Sequence, residues 1–227
     1  MAAGHSVDEY LETIYFLAFP IGEYRPATGS AAIASRVAEM LGVSRASAGQ
    51  MLKRLEADGL VERGEQKEAI LTEAGIERAE RVVRKHRVIE RFLTDFMGYT
   101  AAESHVHADE LGDTFTDEMI ERMNEKLGRP QRCPHGWPVD PEFEQAENRE
   151  LVALVELDAG HRAEIVRLAE HDGALLHWFY DEGFTPGTMV EVREAQHAAD
   201  QLKVLLDGRE RAISEKAAGG LYVKASS

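Results

Sequence analysis

Histidine and carboxylate side chains recur at a four-residue spacing in one stretch of the sequence. Between residues 84 and 113 the set consists of His86, Glu90, His105, Asp109 and Asp113. Residues four apart share one face of an α-helix, so each group could present its ligand atoms together. Imidazole nitrogens combined with carboxylate oxygens suit Mn²⁺ or Fe²⁺. The same spacing is typical of ion pairs on a solvated helix, so the pattern alone leaves both interpretations open.

Acidic residues elsewhere in the chain are further candidate ligands. Glu9 and Glu12 stand one turn apart on a helix predicted to begin at residue 7. The helix dipole by itself favours carboxylates near such an N-terminus, which is the alternative explanation. Glu170, His171 and Asp172 follow a strand-like run and could reach ligands on other segments. A polar loop would have the same composition.

Two predicted helices must position the histidines. The first covers residues 76–97 and has an apolar face broad enough for a protein core. The second opens with Thr100-Ala-Ala-Glu103, which has the form of a capping box. A third helix, residues 116–127, ends at a Gly-Arg-Pro sequence. We therefore expect a helical middle segment that carries most of the candidate ligands.

The N-terminal third has the pattern of a winged helix-turn-helix. Helices are predicted at residues 30–41 and 45–57, joined by a short glycine-containing turn, and a hairpin at residues 58–72 would form the wing. Polar side chains that could donate to phosphates or base edges lie on the outer face of the second of these helices. They are Ser44, Arg45, Ser47, Gln50, Lys53 and Arg54. The alternative is a three-helix core with a hairpin and no role in DNA binding.

The net charge of −15 is unevenly distributed along the chain. Residues 1–91 hold 13 Lys/Arg and 14 Asp/Glu, whereas residues 92–227 hold 13 and 27. The segment expected to contact phosphates is therefore nearly neutral. No apolar run reaches the roughly 18 residues of a membrane span and no signal peptide is evident, so we expect a cytoplasmic protein. The single cysteine, Cys133, excludes an internal disulfide and a cage of cysteines around zinc.

The last third is predicted to be rich in β-strands, with a short helix at residues 173–181. The β-prone runs are residues 151–157, 163–170, 187–195 and 203–208. A small, partly open barrel fits this pattern best. The preceding segment, CPHGWPVDP at residues 133–141, is expected to be an extended, proline-rich tether that could also dock on this domain.

Taken in order, these segments resemble the diphtheria-toxin-repressor and manganese-transport-regulator family of metal-dependent transcriptional repressors. The resemblance rests on SRASAGQMLKRLEADGLVER followed by LTEAG, on RKHRVIERFLTDFMG, on HVHADELGDTFTDEM and on CPHGWPVDP. It implies a mainly α fold with a small β domain. The implied domains are a winged helix-turn-helix at residues 1–75, a helical metal-binding and dimerisation domain with its tether at residues 76–140, and an SH3-like domain at residues 148–227.

The resemblance also implies a function and two metal sites. The protein would be a repressor rather than an enzyme, binding palindromic operator DNA as a homodimer when Mn²⁺ or Fe²⁺ is bound and controlling metal-homeostasis genes. The first site would use Glu9, Glu12, His86, Asp109 and Asp113. The second would use His86, Glu90, His105 and, from the C-terminal domain, Glu170. Metal would fix the first helix, so that the two recognition helices match major grooves about 34 Å apart.

The chain departs from the family pattern at the first of these sites. The family usually has Cys or Glu at the position of Asp109, Glu at Gly112 and His at Asp113. The site would then be either eroded or rebuilt from shorter carboxylates, with His107 as a candidate to compensate. Because no Cys or Met stands among the expected ligands, their hardness leans towards manganese, but iron accepts the same atoms and the sequence leaves both metals open.

Two other functions fit parts of the sequence. One is a winged-helix regulator that has no metal dependence or responds to another ligand. The other, more remote, is a metal-dependent hydrolase that uses the His105-x-His107 pair. In such hydrolases the pair ends a barrel strand, whereas here it follows a capping box and lies in a helical pattern.

Overall fold

The computed structural model describes residues 5–18, 32–64, 69–112, 114–148, 150–170 and 173–226. These residues form two compact units, one that ends at Lys85 and one that begins at His86. A search of the described residues finds no helix with the length and apolar character needed to cross a membrane.

Three helices and a hairpin build most of the first unit. They are α1 (Val7–Ala18), α2 (Ala32–Met40), α3 (Arg45–Ala57) and the antiparallel strands β1 (Val61–Arg63) and β2 (Ala69–Leu71). Apolar residues recur at helical spacing on each helix, so their faces meet in one core. This core includes Leu11, Ile14, Leu52, Leu55 and Val83. The order and pairing are those of a winged helix-turn-helix, which confirms the predicted fold of this segment.

Helix α3 begins at the predicted residue because Ser44 caps it. The Ser44 hydroxyl accepts a hydrogen bond from the Ser47 backbone N–H at 3.0 Å, which satisfies one of the free donors of the first turn. Gly42, in the turn before it, has a left-handed φ of 61°. Leu52 and Leu55 bury one face of the helix, so the opposite face is left to solvent.

Helix α4 (Glu73–Met97) begins at Glu73 rather than at residue 76. The difference arises because the Thr72 hydroxyl accepts the Gly75 N–H at 3.1 Å and closes the first turn early. The capping box before α5 (Ala101–Gly112) forms as predicted: Thr100 N–H donates to the Glu103 carboxylate at 2.9 Å, and Glu103 N–H donates to the Thr100 hydroxyl at 3.2 Å.

Helices α4, α5 and α6 (Asp117–Lys126) share an apolar core in the second unit. Its buried members are Val88, Ile89, Leu93, Ala108, Ile120 and Val139. The inward-facing polar residues of α4 and α5 are therefore held on rigid elements.

A six-stranded antiparallel sheet forms the C-terminal part of the second unit, in the order β3-β8-β4-β5-β6-β7. The strands are β3 (Val152–Ala153), β4 (Arg162–Leu168), β5 (Met189–Gln196), β6 (Gln201–Leu206), β7 (Arg209–Ser214) and β8 (Leu221–Ala225). A five-residue helix, α7 (Glu144–Asn148), precedes the sheet, α8 (Gly173–Glu182) follows β4, and α9 (Glu215–Gly219) precedes β8. The predicted small β domain is confirmed.

Strands β7 and β8 were not predicted from the sequence, and β3 is shorter than the predicted run at residues 151–157. Strand β7 lies at the edge of the sheet and buries only Ile213 of its six residues, so it lacks an apolar pattern. Strand β8 is a five-residue run directly after two glycines. The run at residues 151–157 becomes a two-residue strand followed by a 3₁₀ turn over Leu154–Glu156.

The segment expected to be an extended tether instead folds back on itself. Arg132 and Pro138 form an antiparallel bridge, and Cys133 N–H donates to the Trp137 carbonyl at 2.8 Å. The Trp137 indole N–H then donates to the Leu168 carbonyl at 2.7 Å, which docks the turn on β4. His135 lies inside this turn and is fully buried. An extended chain would have left the Trp137 ring in water, and burying it offsets the cost of ordering the turn.

Candidate metal centre

Helices α4 and α5 bring three of the predicted ligands into direct contact. On α4, His86 Nε2 lies 2.9 Å from Glu90 Oε1, one helical turn away. On α5, His105 Nδ1 lies 3.0 Å from the same carboxylate oxygen and 3.1 Å from His86 Nε2. His86 and Glu90 are buried because they face inward from α4. Two imidazole nitrogens therefore meet at one buried carboxylate oxygen.

A third imidazole reaches the same oxygen from the folded-back turn. His135 Nε2 lies 3.1 Å from Glu90 Oε1, and the side chains of His135 and Glu90 are both fully buried. Sequence reasoning did not include His135 among the candidate ligands. Its only signal was membership of the CPHGWPVDP motif, which was interpreted as a tether. Its proximity to Glu90 depends on how that turn docks, and local spacing cannot show this.

Asp109 extends the cluster towards solvent. His86 Nδ1 lies 3.1 Å from Asp109 Oδ1, and half of the Asp109 side chain is exposed. The two nitrogens of His86 thus face two different carboxylates, Glu90 on one side and Asp109 on the other. His86, His105 and Asp109 together form a group whose potential ligand atoms lie within 4.8 Å of one another.

Cys133 and Glu170 form the inner end of the cluster. Cys133 Sγ donates a hydrogen bond to Glu170 Oε1 at 3.2 Å, and both side chains are buried. With Glu90 they form another group whose ligand atoms lie within 4.8 Å of one another. Sequence reasoning placed no cysteine near the ligands and favoured manganese for that reason. The argument for manganese therefore no longer holds, because Cys133, the only cysteine of the chain, faces the cluster.

Buried Arg87 holds Glu170 in place from the opposite side. Its guanidinium lies 3.8 Å from Glu170 Oε2, donates to the Pro138 carbonyl at 2.8 Å, and forms an ion pair with Glu144. The cation also stacks over Trp137, 5.1 Å from the ring centroid. The sequence neighbours His86 and Arg87 thus point to different parts of the same buried region.

The electrostatics of the cluster favour a bound positive charge. Burial by itself raises the pKa of Glu90, but the imidazoles of His135, His86 and His105 outweigh it and hold that pKa well below its usual value. Burial lowers the pKa of His105, but its bond to Glu90 wins and the net shift is upward. The pKa of Asp109 is lowered despite burial, chiefly by its bond to His86. The carboxylates of Glu90 and Asp109 are thus stabilised as anions.

The two inner groups favour their protonated forms. Burial, reinforced by the carboxylates of Glu170 and Glu90, raises the pKa of the Cys133 thiol well above its usual value. Burial also raises the pKa of Glu170, against the opposing charge of Arg87. A cation bound beside Cys133 would have to displace the proton of the thiol.

Two buried atoms show that a divalent cation fits this arrangement. Among the residues that the structure describes, Glu90 Oε2 and His135 Nε2 are buried without a hydrogen-bond partner. Leaving such atoms unsatisfied is costly, and a metal ion satisfies carboxylate oxygens and imidazole lone pairs together. Nitrogen, carboxylate and a single sulfur form a donor set that Fe²⁺ and Mn²⁺ accept.

Other predicted ligands belong to the first unit or lie outside the described residues. Glu9 is on α1 in the first unit, where it forms a capping box: its carboxylate accepts the Ser6 N–H, and the Ser6 hydroxyl accepts the Glu9 N–H at 3.2 Å. Glu12, one turn later, is 9% exposed. Asp113, His171 and Asp172 lie outside the described residues.

His107 points away from the metal cluster. Its ring contacts Tyr99 with the two centroids 4.9 Å apart, and its Nδ1 lies 3.5 Å from Glu110. Because His105 and His107 lie on helix α5, not on a strand, the hydrolase interpretation of this pair is wrong.

The predicted DNA-contacting side chains share an exposed surface on the first unit. This recognition surface consists of Ser44, Arg45, Ser47, Gln50, Lys53 and Arg54. The Ser44 hydroxyl is also the helix cap, and Arg54 lies 3.7 Å from Asp58 in an exposed ion pair. Such a pair is weak, so Arg54 can exchange its partner for a phosphate.

Comparison with known protein families identifies all three segments. The model for the iron dependent repressor N-terminal DNA binding domain matches residues 4–69, and the model for the iron dependent repressor metal binding and dimerisation domain matches residues 72–140. The FeoA domain model matches residues 152–225. The chain belongs to the iron-dependent repressor family. The predicted resemblance is confirmed, and all the cluster residues except Glu170 fall within the metal binding and dimerisation match.

Individual repressors match over most of their length. The iron-dependent repressor IdeR of Mycobacterium tuberculosis is 31% identical over 199 residues, covering 82% of this chain and 83% of the relative. The diphtheria toxin repressor of Corynebacterium glutamicum is 31% identical over 201 residues, covering 84% and 85%. A solved manganese-dependent transcriptional repressor in complex with manganese superimposes with a TM-score of 0.82 at 25% identity, covering 97% of this chain and 100% of that one. This iron-dependent repressor homologue is accordingly a metal-dependent transcriptional repressor and not an enzyme.

Proposed function

We propose that this repressor senses Fe²⁺ or Mn²⁺ through the buried cluster and then binds palindromic operator DNA in the cytoplasm as a homodimer. The observation that carries the proposal is the convergence of three imidazole nitrogens on Glu90 Oε1, at 2.9, 3.0 and 3.1 Å. A divalent cation at this point would accept the imidazole lone pairs and the carboxylate oxygen together.

The proposed ligands form two overlapping groups that share Glu90. The outer group contains His86, His105 and Asp109, which connects the site to solvent. The inner group contains Cys133 and Glu170, whose ligand atoms lie within 4.8 Å of a Glu90 oxygen, and His135, whose Nε2 lies 3.1 Å from Glu90 Oε1. Cys133 and His135 come from the docked turn, and Glu170 from the segment just after β4. Metal in the inner group would join the helical domain to the β domain. Two further assignments stay predictions: Glu9, Glu12 and Asp113, which the family resemblance implies, and Asp172, which follows a strand-like run.

The inner group favours iron over manganese. A thiolate is a softer ligand than a carboxylate, and Fe²⁺ binds mixed nitrogen and sulfur donors more tightly than Mn²⁺ does. The outer group contains only nitrogen and oxygen ligands and should discriminate less between the two metals. Both metals occur among the relatives, whose names describe iron-dependent and manganese-dependent repressors.

DNA binding is proposed for the recognition surface on α3 and for the wing. An exposed row of Arg, Lys, Gln and Ser on a capped helix matches the geometry of major-groove recognition. Homodimerisation is proposed for the apolar side chains exposed on α4 to α6. These are Phe96, Met97, Val106 and Met119. Exposed apolar groups of this size on neighbouring elements are typical of an interface between subunits.

A binding experiment tests metal control directly. A duplex is first selected from a random-sequence pool with the Mn²⁺-loaded protein, and its affinity is then measured after chelation and after Fe²⁺ or Mn²⁺ is restored without oxygen. We expect restored metal to raise the affinity by about tenfold or more, within the range of allosteric couplings. Equal affinities with and without metal would refute metal control and leave DNA binding intact.

The site itself is tested by Glu90→Gln, with Glu110→Gln as the matched control. Glu110 is an exposed carboxylate on α5 that lies outside the cluster. Glu90→Gln removes the charge around which the imidazoles are arranged, so its metal affinity should fall at least on the order of tenfold. Calorimetric titration with Mn²⁺ measures the change. An unchanged affinity in Glu90→Gln would move the metal site elsewhere.

A further inference from the structure

Tyr180, on helix α8 of the β domain, contacts His135 on the side that faces away from Glu90. The Tyr180 hydroxyl donates a hydrogen bond to the Pro134 carbonyl at 2.9 Å. His135 Nδ1 lies 3.2 Å from the same hydroxyl oxygen. A phenol has one proton and a carbonyl can only accept, so the Tyr180 proton is committed to Pro134. The bond between Tyr180 and His135 must then be donated by His135 Nδ1.

That direction determines the state of the other imidazole nitrogen. The neutral imidazole, which is the form that binds a metal ion, carries hydrogen on one nitrogen only, so in that form His135 Nε2 has a lone pair. This nitrogen is buried, has no hydrogen-bond partner among the described residues, and lies 3.1 Å from Glu90 Oε1. An imidazole lone pair facing a carboxylate oxygen is unfavourable in a buried site unless a cation lies between or beside them.

Hydrogen bonds of the turn and the packing of Tyr180 restrict the position of the His135 imidazole. Leu168 N–H donates to the His135 carbonyl at 3.0 Å, which fixes the residue on β4. The rings of His135 and Tyr180 lie 5.9 Å apart between centroids, at an interplanar angle of 66°. Helix α8 also packs against α5, which carries His105 and Asp109. Tyr180 is therefore held beside His135 by the packing of α8.

We propose that Tyr180 is a positioning residue for the metal centre, selecting the Nδ1–H tautomer of His135 so that Nε2 is presented to a divalent cation shared with Glu90. This rests on the proposed function, in which His135 and Glu90 bind metal. A hydrogen bond to the far nitrogen of a ligating histidine orients the ring and raises its basicity. The C-terminal domain thereby contributes to metal affinity through a side chain that never touches the metal.

Metal titration of Tyr180→Phe tests the proposal, with Tyr222→Phe as the matched control. Both variants lose one hydroxyl and keep the ring; the Tyr222 hydroxyl is buried and has no hydrogen-bond partner in the described part of the chain. Competition with a chromophoric chelator, using Fe²⁺ without oxygen, should show a loss of about ten- to hundredfold for Tyr180→Phe. Tyr222→Phe should match the wild type. Equal affinities for Tyr180→Phe and the wild type would overturn the proposal.

The tautomer of His135 distinguishes the proposed role of Tyr180 from a purely structural one, because a structural role would leave the tautomer unchanged. Two-bond ¹⁵N–¹H correlation spectra of the metal-free protein, labelled in histidine, distinguish Nδ1–H from Nε2–H, and the His135 signals are those missing from His135→Ala. We expect Nδ1–H in the wild type and a mixture in Tyr180→Phe. An Nε2–H signal in the wild type would overturn the inference whether or not metal binds.

A double variant separates this inference from the proposed function. If His135→Ala lowers metal affinity and adding Tyr180→Phe lowers it no further, the tyrosine acts through His135. If His135→Ala lowers affinity but Tyr180→Phe does not, the inference is wrong and the metal site stands. If His135→Ala itself leaves affinity unchanged, His135 is not a ligand, and both the inner site and the role of Tyr180 fail.

Discussion

Glu90 is the residue on which the chemistry of the site depends. Within the described part of the chain, its carboxylate lies within reach of three imidazoles and also of the Cys133 and Glu170 pair. A buried anion of this kind is unfavourable without compensating charge, and the His105 imidazole, whose pKa is raised by its bond to Glu90, supplies it when no metal is bound. Metal binding would replace that proton, so metal and proton compete at His105.

Cys133 sets the expected metal preference. In Cys133→Ser a hard hydroxyl replaces the only sulfur ligand, so Fe²⁺ affinity should fall on the order of ten- to hundredfold while Mn²⁺ affinity changes less. The ratio of the two dissociation constants, measured by chelator competition without oxygen, checks this expectation. A ratio that stays at the wild-type value would show that the thiol does not bind the metal.

At the scale of elements, one turn decides whether the inner site exists. Residues 133–139 are held against β4 by the Trp137 bond and by a close backbone approach at Gly136. Gly136 has a φ of +90°, and a Cβ there would lie 1.9 Å from the Val166 carbonyl oxygen. No other residue type fits at that position without moving the turn.

Gly136→Ala and Gly160→Ala form a matched pair that isolates this close approach. Gly160 has nearly the same φ, +91°, but a Cβ there would meet nothing within 4 Å. The strained backbone alone should cost Gly160→Ala about 1–2 kcal/mol of unfolding free energy. The clash should cost Gly136→Ala about 1–3 kcal/mol more. Urea denaturation measures the unfolding free energy of both variants. Equal decreases would mean that the turn shifts away from Val166 without a measurable loss of stability.

The recognition helix permits a prediction that concerns DNA alone. Lys53 is exposed on α3, within the surface proposed to bind DNA, where we expect it to contact a phosphate. In Lys53→Ala, operator affinity should fall and the slope of log affinity against log salt concentration should decrease by about one. Arg209→Ala, which removes an exposed charge from β7, is the control. An equal effect of both variants would point to a general charge effect and not to a contact by α3.

At the scale of the whole molecule, the exposed apolar side chains of the helical domain are expected to join two copies. Phe96 is 60% exposed and stacks on Phe92 with centroids 5.5 Å apart. A twofold interface would bury the same surface on both subunits, so one substitution acts twice. Two copies are also what a palindromic operator requires.

Phe96→Asp should therefore weaken the dimer strongly. A charge placed in an apolar interface must be desolvated in both subunits, which is unfavourable. Met189→Asp introduces the same charge at an exposed apolar residue of the β domain and should leave the dimer intact. Sedimentation velocity across a concentration series distinguishes monomer from dimer. If the Phe96→Asp variant stays dimeric, the interface does not include Phe96. If the Met189→Asp variant becomes monomeric, the interface involves the β domain instead.

The sequence by itself determined the helices, their caps and the helix-turn-helix, because these depend on residues within a few positions of one another. Thr100 and Glu103 identified the start of α5, and the spacing of His86 and Glu90 placed both on one face of α4. The contact of His105 with that pair required the packing of α5. The family resemblance supplied the expectation that these helices bind metal.

Only the tertiary structure decided which atoms complete the cluster first suggested by His86, Glu90, His105 and Asp109. His135 and Cys133 stand more than forty residues from Glu90 in sequence and reach it because burial of Trp137 docks their turn on β4. Strand β8 likewise pairs between β3 and β4 although the chain reaches it last. Burial and long-range pairing depend on the whole chain, so no local spacing could show that the lone cysteine faces the site or that Tyr180 orients His135.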